Sequence, residues 1–260
     1  MAEVWTAAHP FPIAEPRLRR LTLADLVAAL RAGWQDFLAI PTQLLFLCVF
    51  YPLIGLFAAR AASDADLTPM IFPLVGGFAL VGPLAALGLY ELSRRREAGE
   101  PAAWYHVFGV LRAPALGPIL RLGVMLAGVF LLWLLAANAI HGATMGRLPP
   151  GTGFLGALFG TPEGWAMILL GNLVGAGFAG FVLAATVFAF PHLLAEGGSA
   201  RAAMRLSFAA VRRNPAVMLA WGAIVGVLLF AGSLPLFVGL AVVLPVLGHA
   251  TWHLYRRVVG

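Results

Sequence analysis

Residues 214–255 read NPAVMLAWGAIVGVLLFAGSLPLFVGLAVVLPVLGHATWHLY, a run of 42 residues that contains neither an acidic residue nor an arginine. As a single α-helix this run would extend about 63 Å, which is about twice the thickness of the hydrocarbon core of a bilayer. The sequence Gly-Ser-Leu-Pro at 232–235 lies near its middle and is typical of a turn. The run therefore predicts a pair of membrane-spanning helices.

Four further stretches without charged residues are long enough to cross a bilayer, namely Phe37–Ala59, Leu67–Tyr90, Leu122–Ile140 and Gly164–Ala195. A charged side chain at the bilayer centre costs about 3 kcal/mol on insertion scales, so such gaps indicate crossings. Backbone groups must find hydrogen bonds within the chain in lipid, and the sequence lacks the alternation of a membrane β-barrel. We therefore predict an all-α polytopic membrane bundle of six transmembrane helices with short cytoplasmic interfacial helices.

The composition agrees with this class. The chain has 260 residues, of which 61% are hydrophobic and only 11% are charged, whereas soluble domains carry about 25% charged residues. A water-soluble globule is excluded. The single cysteine, Cys48, excludes a disulfide framework and a cysteine metal cluster. A nucleic-acid partner is not expected, since that would require a soluble basic face, and no cofactor is expected.

The arginines predict the orientation. Fifteen of the seventeen basic residues, all arginines, fall on one side of the predicted spans, and only Arg60 and Arg147 fall on the other. Basic residues collect in cytoplasmic loops, so we expect a multi-pass bacterial inner-membrane protein with both termini in the cytoplasm. Arginines beside the spans are expected to bind anionic lipid head groups. We predict a flexible cytoplasmic tail at residues 1–21 and a single membrane domain at 22–260.

Three short basic segments precede the outward hairpins, at Thr22–Asp36, Ala103–Leu111 and Ser199–Arg213. They indicate either a loose threefold repeat of interfacial helix plus hairpin or convergent topology. Ser199 is the expected N-cap of the third segment. In the first, Thr22 and Asp25 form a potential capping box. This helix should lie flat on the inner surface with one apolar face, formed by Leu23, Leu26, Val27, Leu30 and Trp34.

Two histidines are the most suggestive polar residues. His249 and His253 are four residues apart, so their imidazoles share one helix face within reach of one metal ion or haem. His192 and Glu91 lie at a similar depth at the ends of two other spans. The favoured alternative is that the histidines anchor the helix at the head-group level. Glu91 would then pair with the arginines three and four residues after it.

Small residues in the spans predict close helix packing. The fourth span contains Gly-x-x-x-Gly at 171 and 175, and the second contains several glycines and alanines. We expect these two spans to form the packed centre of the bundle; the alternative is contact with another subunit. Asn172, an amide inside the fourth span, is expected to hydrogen-bond a neighbouring helix.

Three motifs carry a resemblance to a known family. They are FPLVGGFALVGPLAALGLYELSRRRE at 72–97, GWQDF at 33–37 and GHATWHLYR at 248–256. Together they resemble a proteobacterial family of predicted integral membrane proteins of unknown function, some of which are labelled as cytochrome c oxidase subunits. The resemblance extends from about Leu21 to the end of the chain. It implies a bacterial inner membrane and no particular activity.

A catalytic oxidase subunit is excluded by counting, because its ligands for two haems and a copper would use all six histidines of the chain. Three of them, His9, His106 and His141, are predicted to lie away from the rest. We therefore expect a non-catalytic membrane component or accessory protein, in contact with a membrane-protein partner such as a respiratory complex. The alternatives are a small-molecule transporter or channel, suggested by the repeat, and then a metal- or haem-binding enzyme that uses His192, His249, His253 and Glu91.

Overall fold

The computed structural model describes residues 18–40, 73, 82–146, 153–235 and 237–260, and within these ranges the regular structure is all helical. Ten α-helices and one 3₁₀ helix follow one another in the described chain. They are α1 (Leu23–Ala39), α2 (Gly82–Ala85), α3 (Leu87–Glu97), the 3₁₀ helix Trp104–Arg112, α4 (Leu116–Thr144), α5 (Phe154–Gly160), α6 (Pro162–Thr186), α7 (Ala189–Glu196), α8 (Ala200–Arg213), α9 (Pro215–Ser233) and α10 (Leu240–Val259).

Three helical segments of the described chain are long and apolar enough to cross a membrane. They are α4 with 29 residues, Pro162–Glu196 with 35 residues, which joins α6 and α7, and α9 with 19 residues. These segments coincide with the third, fourth and fifth spans expected from the gaps between charges. Length and composition thus confirm the sequence prediction of these three spans.

The three segments turn apolar side chains outward. In the most apolar 18 residues of each segment, only 28%, 39% and 17%, in that order, are buried inside the protein. Leu135 on α4, Leu173 on α6 and Leu219 on α9 are 66%, 71% and 75% exposed. Exposed apolar side chains in such numbers suit lipid, which solvates them without the free-energy cost of contact with water.

The other predicted spans are less completely described. The first, centred near Phe46, and the second, centred near Ala79, lie mostly outside the described residues. The sixth predicted span, centred near Val243, corresponds to α10. The predicted turn lies before this helix, since α9 ends at Ser233 and α10 begins at Leu240. Its second half carries two histidines and two arginines, so α10 does not reach the hydropathy of the three candidate spans. Six crossings remain a proposal.

Helix α1 packs along α10 rather than lying alone on a surface. Thr22 caps it with the expected capping box, in which the Asp25 side chain accepts from the Thr22 backbone N–H at 2.8 Å. Arg257 bonds Asp25 near the start of α1, whereas His253 bonds Asp36 near its end. The two helices therefore run antiparallel.

The packed face of α1 shares only Leu26 with the apolar face that the sequence predicts to lie on the membrane surface. The helix buries Leu26, Ala29, Gly33 and Phe37, while Leu23, Val27 and Trp34 are 63%, 50% and 45% exposed. The reason is that small residues allow a closer approach to α10 than bulky ones. A Cβ atom added to Gly33 would lie 2.6 Å from the backbone nitrogen of Ala250 and 2.7 Å from the Val246 carbonyl oxygen.

The other two basic segments differ from each other. Ala200–Arg213 is an α-helix, and Ser199 caps it as predicted by accepting from the Ala202 N–H at 3.2 Å. Trp104–Arg112, however, is a 3₁₀ helix. The threefold repeat stays a prediction.

A short segment before α1 ties two helix ends together. The Arg19 N–H donates to the Val258 carbonyl at 2.8 Å, and the Leu21 N–H donates to the buried Asn214 side-chain oxygen at 2.7 Å. Asn214 in turn donates to the Arg19 carbonyl at 3.2 Å. Because Asn214 precedes α9 and Val258 lies in the last turn of α10, the start of α9 and the end of α10 lie on the same side of the bundle.

The close approach of α1 and α10 predicts that Gly33→Ala destabilises the protein by about 1–3 kcal/mol, the usual cost of overpacking, since backbone atoms must move apart. The thermal unfolding midpoint in detergent measures this. Gly128→Ala on α4 is the matched control, because a Cβ there meets nothing within 4 Å and alanine favours a helix by about 1 kcal/mol. Equal midpoints for the two variants would contradict the packing described.

Candidate functional site

Helices α1, α3 and α10 bring five polar side chains to one point in the described part of the bundle. Asp36 lies in the last turn of α1, and Ser93 and Arg96 lie near the end of α3. His249 and His253 lie one turn apart on α10. Three of the five, Asp36, Ser93 and His249, are at least 95% buried. We call this group the Asp36 cluster; its members are Asp36, Ser93, Arg96, His249 and His253.

The Asp36 carboxylate is the acceptor at the centre of the cluster. Its Oδ1 accepts from an Arg96 guanidinium nitrogen at 2.6 Å, and its Oδ2 accepts from Ser93 Oγ at 2.6 Å. His253 Nε2 lies 2.8 Å from the same Oδ2. Burial by itself would raise the pKa of the carboxyl, but the hydrogen bonds from His253 and Ser93 outweigh it and hold the pKa below its ordinary value. Asp36 is therefore charged at neutral pH.

His249 is the most enclosed member of the cluster. Its ring is fully buried, and its Nδ1 lies 2.8 Å from Ser93 Oγ. Its Nε2 has no hydrogen-bond partner within the described chain. Helix α3 approaches closely here, since a Cβ added to Gly248 would lie 2.4 Å from Leu89 Cδ1. The interpretation of His249 as a head-group anchor is wrong, because a ring at a lipid interface would not be sealed inside the helix contacts.

A second set of bonds joins the same two helices beside the cluster. Glu97, the last residue of α3, accepts from the indole nitrogen of Trp252 and from the guanidinium of Arg256, both at 2.9 Å. The hydrogen bond that Arg256 donates to Glu97 raises the pKa of Arg256 above its usual value. Two carboxylates thus hold the ends of α3 and α10 together, namely Asp36 in the cluster and Glu97 at its edge.

Glu91 pairs with the arginines three and four residues after it, as the sequence predicts. Arg94 donates to it at 2.8 and 2.9 Å, and Arg95 donates at 2.9 Å. Burial alone would raise the pKa of Glu91, but the bonds and charge of Arg94, followed by those of Arg95, lower it. The carboxylate is ionised and neutralised by its own helix.

The structure brings together two of the four residues considered as metal ligands. His249 and His253 meet at Asp36. His192 instead bonds the Tyr255 hydroxyl, at 3.1 Å, and Glu91 is held by its arginines. Among the residues that the structure describes, no group of three or more histidine, cysteine or acidic side chains is arranged to hold a metal ion.

Sequence reasoning missed Asp36, Ser93 and Arg96 as members of a site. Asp36 is separated from Ser93 by 57 residues and from His253 by 217, so no spacing rule relates them. The available signal was the placement of Asp36 at the entry of the first predicted span, within the GWQDF motif.

The expectation for Asn172 is also wrong. Its side-chain nitrogen donates to the Ile168 carbonyl of its own helix at 2.8 Å, and the side chain is exposed. A single turn of helix supplies the partner that the sequence assigned to a neighbouring helix.

The Gly-x-x-x-Gly pair of the fourth span lies against the third span. A Cβ atom added to Gly175 would lie 3.2 Å from the Trp133 ring of α4, so this part of the fourth span packs on the third.

The lowered pKa of Asp36 predicts a pH-dependent contribution to stability. Since the folded-state pKa lies below the unfolded value of about 3.9, the contribution is complete above about pH 4 and is lost as pH falls through the folded pKa. Asp36→Asn should unfold more easily at pH 7 by about 1.5–3 kcal/mol, the usual worth of hydrogen bonds to a charged group. The difference from wild type should shrink below pH 4.

Unfolding midpoints between pH 7 and pH 3 measure this difference. Glu100→Gln is the control, because the Glu100 side chain is 43% exposed and its arginine contacts are long, at 3.6 and 3.8 Å, so it should change stability little. A gap between wild type and Asp36→Asn that stays constant with pH would show that Asp36 is not ionised in the folded protein.

Comparison with protein families gives a match to part of the chain. The model of a family described as predicted integral membrane protein (DUF2189) matches residues 71–195. That stretch includes Ser93 and Arg96 but neither Asp36 nor the histidines of α10. No curated protein and no solved structure matches the chain. The protein is thus an integral membrane protein with several apolar helices, similar over residues 71–195 to the DUF2189 family.

Proposed function

We propose that this protein is a non-catalytic component of the bacterial inner membrane, an accessory protein that crosses the bilayer six times with both ends in the cytoplasm. The observation that supports this is how the buried acidic groups are used. Asp36 and Glu91 are each satisfied by arginine, serine or histidine side chains of the same chain. The bonds of Asp36 fasten α1, α3 and α10 to one another and produce a rigid platform at one end of the bundle.

The placement of arginines supports the proposed orientation. The bonds of Arg19 to Asn214 and Val258 bring three arginine-containing segments to the same end of the bundle. Arg19, Arg20, Arg212 and Arg213 are exposed, and none has an acidic partner in the described part of the chain. Exposed guanidinium groups beside apolar helices suit the phosphates of anionic lipids at the cytoplasmic surface.

The same bonds support two crossings in the last 42-residue run. The start of α9 and the end of α10 share one side, and the turn after Ser233 lies between them in the chain. Two helices that leave and return to one side are what a membrane hairpin requires. The even number of crossings keeps both termini on the arginine-rich side.

Green fluorescent protein fused to either terminus should fluoresce, whereas alkaline phosphatase fused there should be inactive, because both termini are proposed to lie in the cytoplasm. Between Thr144 and Phe154, in the connection from α4 to α5, the two reporters should behave in the opposite way, so this position is the matched control. The measurement is the ratio of green fluorescent protein fluorescence to alkaline phosphatase activity for each fusion. Periplasmic activity at either terminus would refute the six-span arrangement.

The partner that the proposal favours is a larger membrane complex, with a respiratory oxidase as the first choice. Mild solubilisation of native membranes followed by affinity purification should recover oxidase subunits in a fixed ratio to this chain. Exchange of the exposed pair Arg212 and Arg213 for glutamine should reduce the recovery of oxidase subunits only slightly, because we expect apolar faces to make the contact. Recovery of the protein alone, at the mass of a monomer, would contradict the accessory role.

A transporter or channel for small molecules is the second candidate, and the Asp36 cluster is the observation that favours it. Ionisable side chains buried among membrane helices are costly and often mark paths for ions or protons. The cluster joins the entry of the first proposed span, the exit of the second and the sixth. Substrate-dependent flux into liposomes that contain only this protein would favour this candidate over the accessory role.

A further inference from the structure

Helix α6 exposes an amide near the middle of its apolar stretch. The Asn172 side chain is exposed, and one of its N–H groups donates to the Ile168 carbonyl of the same helix at 2.8 Å. Asn172 follows Glu163 by nine residues, so it lies about 14 Å along the helix axis from that charge. This distance is close to half of a hydrocarbon core of about 30 Å. In the described part of the chain, no donor reaches Asn172 Oδ1.

An amide with open hydrogen-bonding groups is costly in hydrocarbon. Lipid chains offer neither donors nor acceptors, so the oxygen and the second N–H of Asn172 find no partner among them. Membrane helices meet this cost by pairing polar side chains across a contact between two helices. The exposed amide therefore indicates that another protein helix covers this face of α6.

The same face of α6 carries small residues one and two turns further along. Ala176 and Gly180 follow Asn172 at intervals of four residues, and all three are exposed. A Cβ atom added to Gly180 would meet nothing within 4 Å, so packing inside the described chain gives no reason for a glycine there. Small residues let two membrane helices approach until their backbones are close. We call Asn172, Ala176 and Gly180 the Asn172 row.

The side of α6 that packs within the chain lies elsewhere on the helix. The Phe178 ring contacts the Trp133 ring of α4 with the ring centroids 5.8 Å apart, and a Cβ atom added to Gly175 would lie 3.2 Å from the same indole. Phe178 comes two residues after Ala176 and is therefore about 160° away around the helix. A second helix can thus cover the Asn172 row while α6 keeps its contact with α4.

We propose that the Asn172 row is the contact between two copies of this chain, which meet about a twofold axis with their α6 helices side by side. The amide is self-complementary. In each copy Asn172 keeps its bond to Ile168, donates its second N–H to the Asn172 oxygen of the other copy, and accepts the equivalent bond in return. A twofold axis places a residue opposite itself, so a second copy supplies the matching amide at the right depth.

Cysteine cross-linking in native membranes locates this contact. In a chain whose one cysteine is exchanged, Cys48→Ser, the variant Ala176→Cys should give a covalent dimer when copper phenanthroline and oxygen oxidise the thiols. The twofold axis brings the two copies of this position within the reach of a disulfide, about 7 Å between Cα atoms. Gly177→Cys is the matched control, since Gly177 is also exposed but lies about 100° further around the helix. It should stay monomeric.

The strength of association tests the amide. Fluorescence energy transfer between labelled copies in vesicles of phosphatidylcholine and phosphatidylglycerol, diluted with lipid, gives the dissociation constant of the dimer. Asn172→Leu should raise this constant about tenfold, the combined worth of two hydrogen bonds between membrane helices. Leu173→Ala is the matched control, because Leu173 is 71% exposed outside the Asn172 row, and it should leave the constant unchanged.

Three results would overturn the proposal. They are equal cross-linking at positions 176 and 177, an unchanged dissociation constant in Asn172→Leu, and a monomer at the highest ratio of protein to lipid. A product that joins Ala176→Cys to a different protein would also overturn it. The proposal rests on the crossing of the membrane by α6 and not on the accessory role, which the recovery of oxidase subunits tests separately.

Discussion

The charge of Asp36 is the constraint on which the described part of this protein depends. An ionised carboxylate that is removed from water costs several kcal/mol unless it is paired and fully hydrogen-bonded. Here Arg96, Ser93 and His253 provide that compensation from two other helices. The positions of α1, α3 and α10 are thus linked, since displacement of any one of them leaves a buried charge with an incomplete set of donors. Gly33 makes the arrangement possible by letting α1 approach the backbone of α10.

The remaining helices obey a different rule. Helices α4, α6 and α9 expose most of their apolar surface, whereas α10 buries eleven residues that include His249, Trp252 and Tyr255. Lipid solvates the first group, so those helices need few contacts within the described chain. Helix α10 carries polar side chains that lipid cannot satisfy, and it is surrounded by α1, α3 and α9. The polarity of a helix thus decides whether it lies inside the bundle or at its outer surface.

Local features of the fold followed well from the sequence. The spans α4 and α9, the turn after Ser233, the caps at Thr22 and Ser199 and the pairing of Glu91 depend on residues close together in the chain. Features that depend on a neighbour did not. The face of α1 that packs on α10 was not predicted, because hydrophobicity drew attention to bulky residues, while contact with α10 selects small ones. Asn172 was misassigned because its partner is one turn away rather than on another helix.

By itself the sequence determined that the protein resides in a membrane and which of its helices are the most apolar. These properties depend on composition and on the distance between charges, which the chain carries whatever its packing. Only the tertiary structure decided that Asp36, Ser93 and His249 form one cluster and that His192 is not part of it. Those contacts join residues up to 217 positions apart, and their geometry depends on how closely backbones approach, which periodicity along one helix does not contain.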